Sequence, residues 1–318
     1  MAELERIFAW GHGKRYNDFP SHFRKIFSER VQKVSIDAGF TCPNRDGTKG
    51  LGGCIYCNNA TFQPSYCHLK KSITSQIDDG IQFFSSKYKS ISFLAYFQAY
   101  TNTYAPLENL IELYEEALSH SRIIGLVIAT RPDCLPDDLL DYLERIAQDK
   151  YVMVELGVES CENTTLERIN RGHTFEESVE AFQKLSDRKI HNCAHMILGL
   201  PGENKETILL QAKKMSRLPI ENIKLHQLQI HKNTLIAKQF SDAPEAIELF
   251  QSVESYVDAV VDYLELLHPA IIVERFVSQA PFDLLIAPKW GIKNFEFIAK
   301  VEKELHLRDT WQGRLFVP

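Results

Sequence analysis

The chain has 318 residues, a net charge of −6, 44% hydrophobic and 25% charged residues. This composition supplies a large apolar core and excludes an intrinsically disordered chain. The longest apolar run, Ile123 to Ala129, falls far short of the ~20 residues that span a bilayer, and MAELERIFAWGHGKRY at the N-terminus lacks a secretory apolar stretch. No membrane association is expected.

Seven cysteines without such a signal point to a reducing, cytoplasmic setting, where thiols bind metal or do chemistry. Charge is uneven. Residues 1–71 hold 11 Lys and Arg against 6 Asp and Glu, while the remaining 247 hold 25 against 36. The basic segment also carries the densest group of cysteines, which suits an anionic substrate or cofactor or, equally, a solvated basic face.

In chain order, VQKVSI at 31–36 reads as a strand, followed by a polar, Gly-rich stretch to about residue 60. Apolar spacing predicts a helix over 72–89 and ISFLAYF at 91–97 a strand. Pro106 opens a helix, RIIGLVIAT at 122–130 is a buried strand, Pro136 opens the next helix, and YVMVELGV at 151–158 is again a strand. A helix at 175–188, a strand at 190–198, a helix capped by Asn204 and a strand at 222–230 continue the alternation.

Near-continuous apolar strands alternating with helices predict six parallel βα units between Val31 and about Phe240, an open or partial barrel. One amphipathic helix is expected over 244–268, a further strand at 271–276 and a last helix at 292–306. The expected division is an N-terminal segment (1–30), a core barrel (31–240) and a mainly helical C-terminal extension (241–318).

The loop after the first strand reads Cys42-PNRDGTKGLGG-Cys54-IY-Cys57. The Cys-x2-Cys turn brings two thiolates to one centre, and a Gly-rich loop delivers a third. Structural zinc would take a fourth ligand from Cys67 or His68. An electron-transfer cluster would take four thiolates, whereas three leave one iron open. Position favours chemistry, because loops after parallel barrel strands form the mouth where such folds place their active sites. Tyr56 fits beside a ligand held at an open iron. Cys134, Cys161 and Cys193 lack paired metal spacing and read as buried free thiols.

These residues resemble the radical S-adenosylmethionine (radical SAM) superfamily, whose Cys-x-aromatic-Cys is similar to Cys54-Ile-Tyr56-Cys57. The eleven-residue spacer and the phrase KVSIDAGFTCPNRDGTKGLGGCIYCNN resemble a bacterial YhcC-like or YtqA-like family, related to the radical SAM domain of the catalytic subunit of Elongator. The resemblance implies an α/β fold, a partial (βα)6 TIM-like radical SAM barrel. It implies that Cys42, Cys54 and Cys57 hold a 4Fe–4S cluster whose open iron binds S-adenosylmethionine. Reductive cleavage would then give a 5′-deoxyadenosyl radical that abstracts a substrate hydrogen, with the protein orienting the cofactors.

Other strand ends carry the same resemblance. Gln98 and Thr101 stand where the superfamily has a glycine-rich motif for the methionine amino group. ATRPD at 129–133 is similar to the Elongator-like branch but has Ala129 where glutamate is common; Arg131 is a candidate for a substrate carboxylate or phosphate. ELGVESCENTTLERINRGHT resembles a segment of oxygen-independent coproporphyrinogen oxidases. It implies that Glu159 reaches the ribose and that Arg171 pairs with the methionine carboxylate.

In HMILGLPGE, backbone beside Ile197 and Leu198 would line the adenine. Gln229 and His231, after the sixth strand, are candidate substrate contacts. The family further implies a tRNA substrate, with conversion of carboxymethylaminomethyl to aminomethyl uridine at the wobble position, and a flavodoxin or ferredoxin as electron donor. Arg6, Lys14, Arg15, Arg24 and Lys25 are the basic residues expected to meet phosphates. The alternatives are a radical enzyme acting on a small metabolite or protein side chain, and a non-catalytic iron–sulfur or zinc module.

Overall fold

The structure, a computed structural model, describes residues 6–85 and 91–318. Six strands, β1 (Arg30–Ile36), β2 (Ile91–Phe97), β3 (Ile123–Thr130), β4 (Tyr151–Glu159), β5 (His191–Leu198) and β6 (Asn222–Gln227), pair in sequence order and all run parallel. A two-residue strand, β7 (Ile230–His231), leaves the sheet. β8 (Ile272–Arg275) returns to add a seventh parallel strand beside β6, and β9 (Leu285–Ala287) pairs antiparallel with β7. The six expected units are therefore present, and the last third of the chain extends their sheet.

Helices cover the outer face as parallel crossovers require. Among the described residues the α-helices in chain order are α1 (Phe19–Ile26), α2 (Ile73–Ser85), α3 (Leu107–Ser119), α4 (Asp137–Ile146), α5 (Asn163–Arg168), α6 (Phe175–Asp187), α7 (Lys205–Met215), α8 (Leu235–Asp242), α9 (Val253–Leu266) and α10 (Asn294–Leu307). Residues 86–89 of the expected second helix lie outside the described residues. Pro106 and Pro136 take the N-cap positions of α3 and α4, and Asn204 accepts from the Thr207 amide as the cap of α7.

The single helix expected over 244–268 is a difference. Only a 3-10 turn stands at Pro244–Ala246, and α9 starts at Val253, where Ser252 and Ser255 form a reciprocal cap. The interruption has a packing cause: Ile247 is buried against Ile55, Ile197 and Leu200, a different apolar cluster from the one that takes α9.

α1 closes the lower end of the barrel. Phe23 packs against Leu94, Val127, Met153 and Cys193, early inward positions of four strands, with Phe19 and Phe27 beside it. Residue spacing of four puts these phenylalanines on one helical face. Asp18 bridges to Val273, so the N-terminal segment lies along the free edge of β8. With the bottom filled by aromatic side chains, the hollow is left at the C-terminal mouth.

The expected basic residues fall elsewhere. Lys14 pairs with Asp18 and Glu302, and Arg15 with Asp309. Arg6 lies over Trp311, Arg24 bonds the Pro20 carbonyl and Lys25 the Trp10 carbonyl. Together with α1 they belong to the closed end, away from the cysteine loop. Among the described residues no helix is long and apolar enough to cross a membrane.

Candidate active site

The cysteine loop leaves β1 and folds on its own backbone. The Arg45 amide donates to the Cys42 carbonyl at 2.8 Å, Gly53 N to Asn44 O at 2.8 Å, and Cys57 N to Cys54 O at 3.0 Å. Gly52 and Gly53 both have φ of +80°, a conformation side chains resist, so the turn into Cys54 needs glycine. Neighbouring elements clamp the loop: Ile55 N bonds Ile169 O and Ile236 N bonds Ile55 O, each at 3.0 Å, and the Asn170 side chain bonds Gly53 O at 2.8 Å.

All three cysteines are free thiols on one cavity of about 190 Å³ at the mouth. Arg171 Nη1 lies 3.5 Å from the Cys54 sulfur, Asn44 Nδ2 3.8 Å from the same atom, and Asn59 Nδ2 3.6 Å from the Cys57 sulfur. Burial, with Cys54 beside it, pushes the Cys57 thiol up to about 12.

The same cavity is lined by Tyr56, Gln98, Thr101, Arg131, Glu159, Arg171 and Ile197. Arg171 is fixed from several sides: Nη2 donates to Gly157 O at 2.6 Å and faces Glu159 Oε1 at 3.6 Å, while its buried Nε has no partner. Glu159 holds a φ of +70°, uncommon for a side-chain-bearing residue and frequent at functional sites. A Cβ on Gly157 would meet both Arg171 Nη2 and Glu159 Oε1 at 2.5 Å, so glycine is what lets the pair approach.

Four expectations need correction. Leu198 does not line the cavity; alternation along β5 turns Ile197 inward and buries Leu198 in the outer core. Gln229 lies in a separate hollow with Gln227 and Ser278, donating to Ser278 O at 3.3 Å. His231 is buried 3.4 Å from Gln229 rather than facing the cavity, because the chain turns away into β7. Arg131 reaches the cavity wall, but its guanidinium is engaged: Nε and Nη2 bond Asp133 at 2.9 Å each, and Nη1 donates to Arg171 O at 2.6 Å. It positions Arg171.

The fourth-ligand candidates are also placed. Cys67 points at Ser35 O, 2.9 Å away, and shares a different hollow with His68, so neither joins the three cysteines. A tetrahedral zinc ion with Zn–S of about 2.3 Å needs sulfurs about 3.8 Å apart. Among the described residues, only Glu155, Cys193 and His195 bring three ligand atoms within 4.8 Å of one another. The three cysteine sulfurs thus do not all lie within 4.8 Å of one another. The Glu155 group is itself no cation site, since Lys33 and Lys224 already bond that carboxylate at 2.7 and 2.6 Å.

That group belongs to a layer sequence reasoning missed. Below the cysteine loop, Tyr96, Glu155, His195, His226 and Arg275 line the cavity. Tyr96 donates to Glu155 Oε2 at 2.7 Å, with His195 Nε2 3.1 Å from the same oxygen. Burial works to raise the Glu155 carboxyl, but Lys224 and Lys33 prevail and hold it well below its ordinary range. Burial, aided by Lys224, brings His195 down to about 4 against the pull of Glu155. The sequence signal was weak, a polar residue here and there among strands such as NIKLHQ and IVER that carry several.

Residues 42–212 match the model of the Radical SAM superfamily, and residues 220–306 that of the radical SAM C-terminal domain. The chain belongs to the radical SAM superfamily. Its cofactors are accordingly a 4Fe–4S cluster and S-adenosylmethionine. YtqA of Bacillus subtilis is 39% identical to this radical SAM enzyme over 303 residues, 95% of this chain and 93% of that one. A solved structure of the archaeal Methanocaldococcus infernus Elp3, with an N-terminal deletion, shares the fold with a TM-score of 0.64 at 16% identity, covering 89% of this chain and 64% of that one. A 101-residue stretch, 32% of this chain, is 34% identical to the tRNA uridine(34) acetyltransferase of Methanocaldococcus jannaschii, covering 17% of that protein.

Proposed function

We propose that this radical SAM enzyme modifies the side chain of a wobble uridine in tRNA, converting a carboxymethylaminomethyl group to an aminomethyl group and releasing the carboxymethyl carbons as a two-carbon acid. The observation that carries the reading is the 101-residue likeness to a tRNA uridine(34) acetyltransferase. The cavity's place at the barrel mouth is compatible with an everted nucleoside beside the cofactors.

The donor set fits the superfamily's cofactors. Cys42, Cys54 and Cys57 would hold the cluster, with Arg171 and Asn44 at the Cys54 sulfur and Asn59 at the Cys57 sulfur; the unpartnered Arg171 Nε is a donor for the methionine carboxylate. Glu159, Gln98 and Thr101 would orient the remainder of S-adenosylmethionine. When bound, the pair supplies one-electron, hydrogen-abstracting chemistry. The chain's own residues keep the arginine extended, exclude water with the aromatic plug below, and hold His195 neutral. A flavodoxin or ferredoxin would deliver the electron.

Two exposed lysines support the RNA reading. Lys232 is exposed, and its carbonyl accepts from Asn58 of the cysteine loop at 2.8 Å. Lys289 is exposed beside Phe282, itself 76% exposed, a cation–aromatic pair suited to backbone and base stacking. The test is anaerobic incubation of reconstituted enzyme, reductant and S-adenosylmethionine with bulk tRNA, followed by nucleoside mass spectrometry. Loss of the carboxymethylaminomethyl nucleoside with gain of the aminomethyl form supports the proposal; an unchanged profile from active enzyme overturns it.

A further inference from the structure

The charged layer beneath the cysteine loop has one cation too many. Lys33 lies 2.7 Å from Glu155 and 2.6 Å from Glu274; Lys224 lies 2.6 and 3.0 Å from the same two carboxylates. Two lysines and two glutamates thus close a neutral ring. Tyr96, His195 and His226 add no charge, since burial keeps the phenol protonated and, with neighbouring cations, keeps both imidazoles neutral.

Arg275 is the remainder. It ends β8 on the cavity wall, and its Nε and Nη2 lie 3.0 and 2.6 Å from His226 Nε2, a neutral acceptor. Among the described residues no carboxylate pairs with it and its Nη1 has no partner. Of the other three cavity arginines, Arg131 is committed to Asp133 and Arg171 to Glu159 and Cys54, while Arg45 lies over the Tyr100 ring beside the cysteine loop. In the layer below the cysteine loop, Arg275 is the half-buried guanidinium that no carboxylate answers. Taking it out of water is costly unless an anion answers it.

We propose that Arg275, braced by His226, binds a carboxylate of the substrate on the opposite side of the cavity from the cysteine loop. A single surplus positive charge matches a monoanion, and the planar guanidinium matches a carboxylate. The assignment rests on the tRNA reading above, whose substrate side chain ends in a carboxylate. It makes Arg275 the residue that distinguishes that side chain from its uncharged analogues.

The experiment measures equilibrium binding to cluster-loaded, unreduced enzyme, so that no turnover occurs. Two anticodon stem–loop RNAs are compared, identical except that the wobble side chain ends in a carboxylate or in the carboxamide. Wild type is expected to prefer the carboxylate by about tenfold or more, the scale of a charge-assisted contact. Arg275→Gln should reduce the preference to under about twofold, leave carboxamide RNA affinity unchanged, and keep S-adenosylmethionine affinity at the wild-type level; Arg275→Lys should restore part of the preference.

Retained discrimination in Arg275→Gln overturns the proposal. So does loss of S-adenosylmethionine binding with discrimination intact, which would assign the guanidinium to the cofactor's carboxylate. Equal binding of both RNAs by wild type overturns the carboxylate assignment alone. If wild type binds neither RNA, the tRNA reading falls and this assignment with it.

Discussion

Lys33 on β1 and Glu274 on β8 meet at 2.6 Å, joining the first and last strands of a sheet whose two edges share no backbone ladder. The same ammonium reaches Glu155 on β4 across the hollow. Ion pairing between side chains therefore does at this open seam what hydrogen bonding does around a closed barrel. Lys33→Met would leave two buried carboxylates facing one lysine and should cost about 3–5 kcal/mol. The double replacement of Lys33 and Glu274 by methionine should cost less than the lysine change alone. Urea unfolding of the two variants and the Glu274→Met single completes the cycle; additive losses would show that the two residues do not act together.

Gly157 controls Arg171 through space that only glycine leaves open. With alanine, the Cβ contact at 2.5 Å displaces the guanidinium from the Gly157 carbonyl and from Glu159. S-adenosylmethionine affinity of the reconstituted enzyme should fall about tenfold, equivalent to about 1.4 kcal/mol. Calorimetric titration checks this, and unchanged affinity would remove Arg171 from the cofactor site.

Cysteine replacement separates the cluster ligands from the bystander. Serine at Cys42, Cys54 or Cys57 should abolish stable iron retention after anaerobic reconstitution. Serine at Cys67, whose sulfur faces the Ser35 carbonyl, should leave iron and sulfide at the wild-type level. Loss of iron from the Cys67 variant would restore the four-thiolate reading.

Glu203 predicts a pH effect on stability. Burial raises its carboxyl from 4.5 to about 7, against bonds from Ser160 at 2.5 Å and Gln211 at 2.7 Å. The folded chain then holds this proton more tightly than the unfolded one, so the group's contribution falls as pH rises from about 4.5 to about 7 and the full penalty stands above that. Glu203→Gln should be more stable than wild type above this window, by up to about 3 kcal/mol. The difference should vanish below it. Thermal melts across pH test both limbs.

The strands and the cysteine loop were legible because their signals are local. Apolar runs such as RIIGLVIAT report burial on both faces, and Cys42, Cys54 and Cys57 lie within one loop. Glu159, Arg171 and Gly157 were partly legible, as one contiguous segment supplies all three. The chamber below was not, because Lys33, Glu155, His195, Lys224, His226 and Arg275 come one or two at a time from five strands and acquire meaning only when the sheet curls. The split before α9 was missed for a related reason: helical spacing over 244–268 is real, but Ile247 is claimed by the cysteine-loop cluster. The basic N-terminal residues show the converse error, since net charge carries no information about which end of the barrel it decorates.

The most direct test of the account is anaerobic: load iron and sulfide, verify the cluster, reduce it, add S-adenosylmethionine and assay 5′-deoxyadenosine, with Cys54→Ala in parallel. The account predicts 5′-deoxyadenosine from the wild-type chain and none from the variant. No product from a verified, reduced cluster, or equal product from Cys54→Ala, would contradict it.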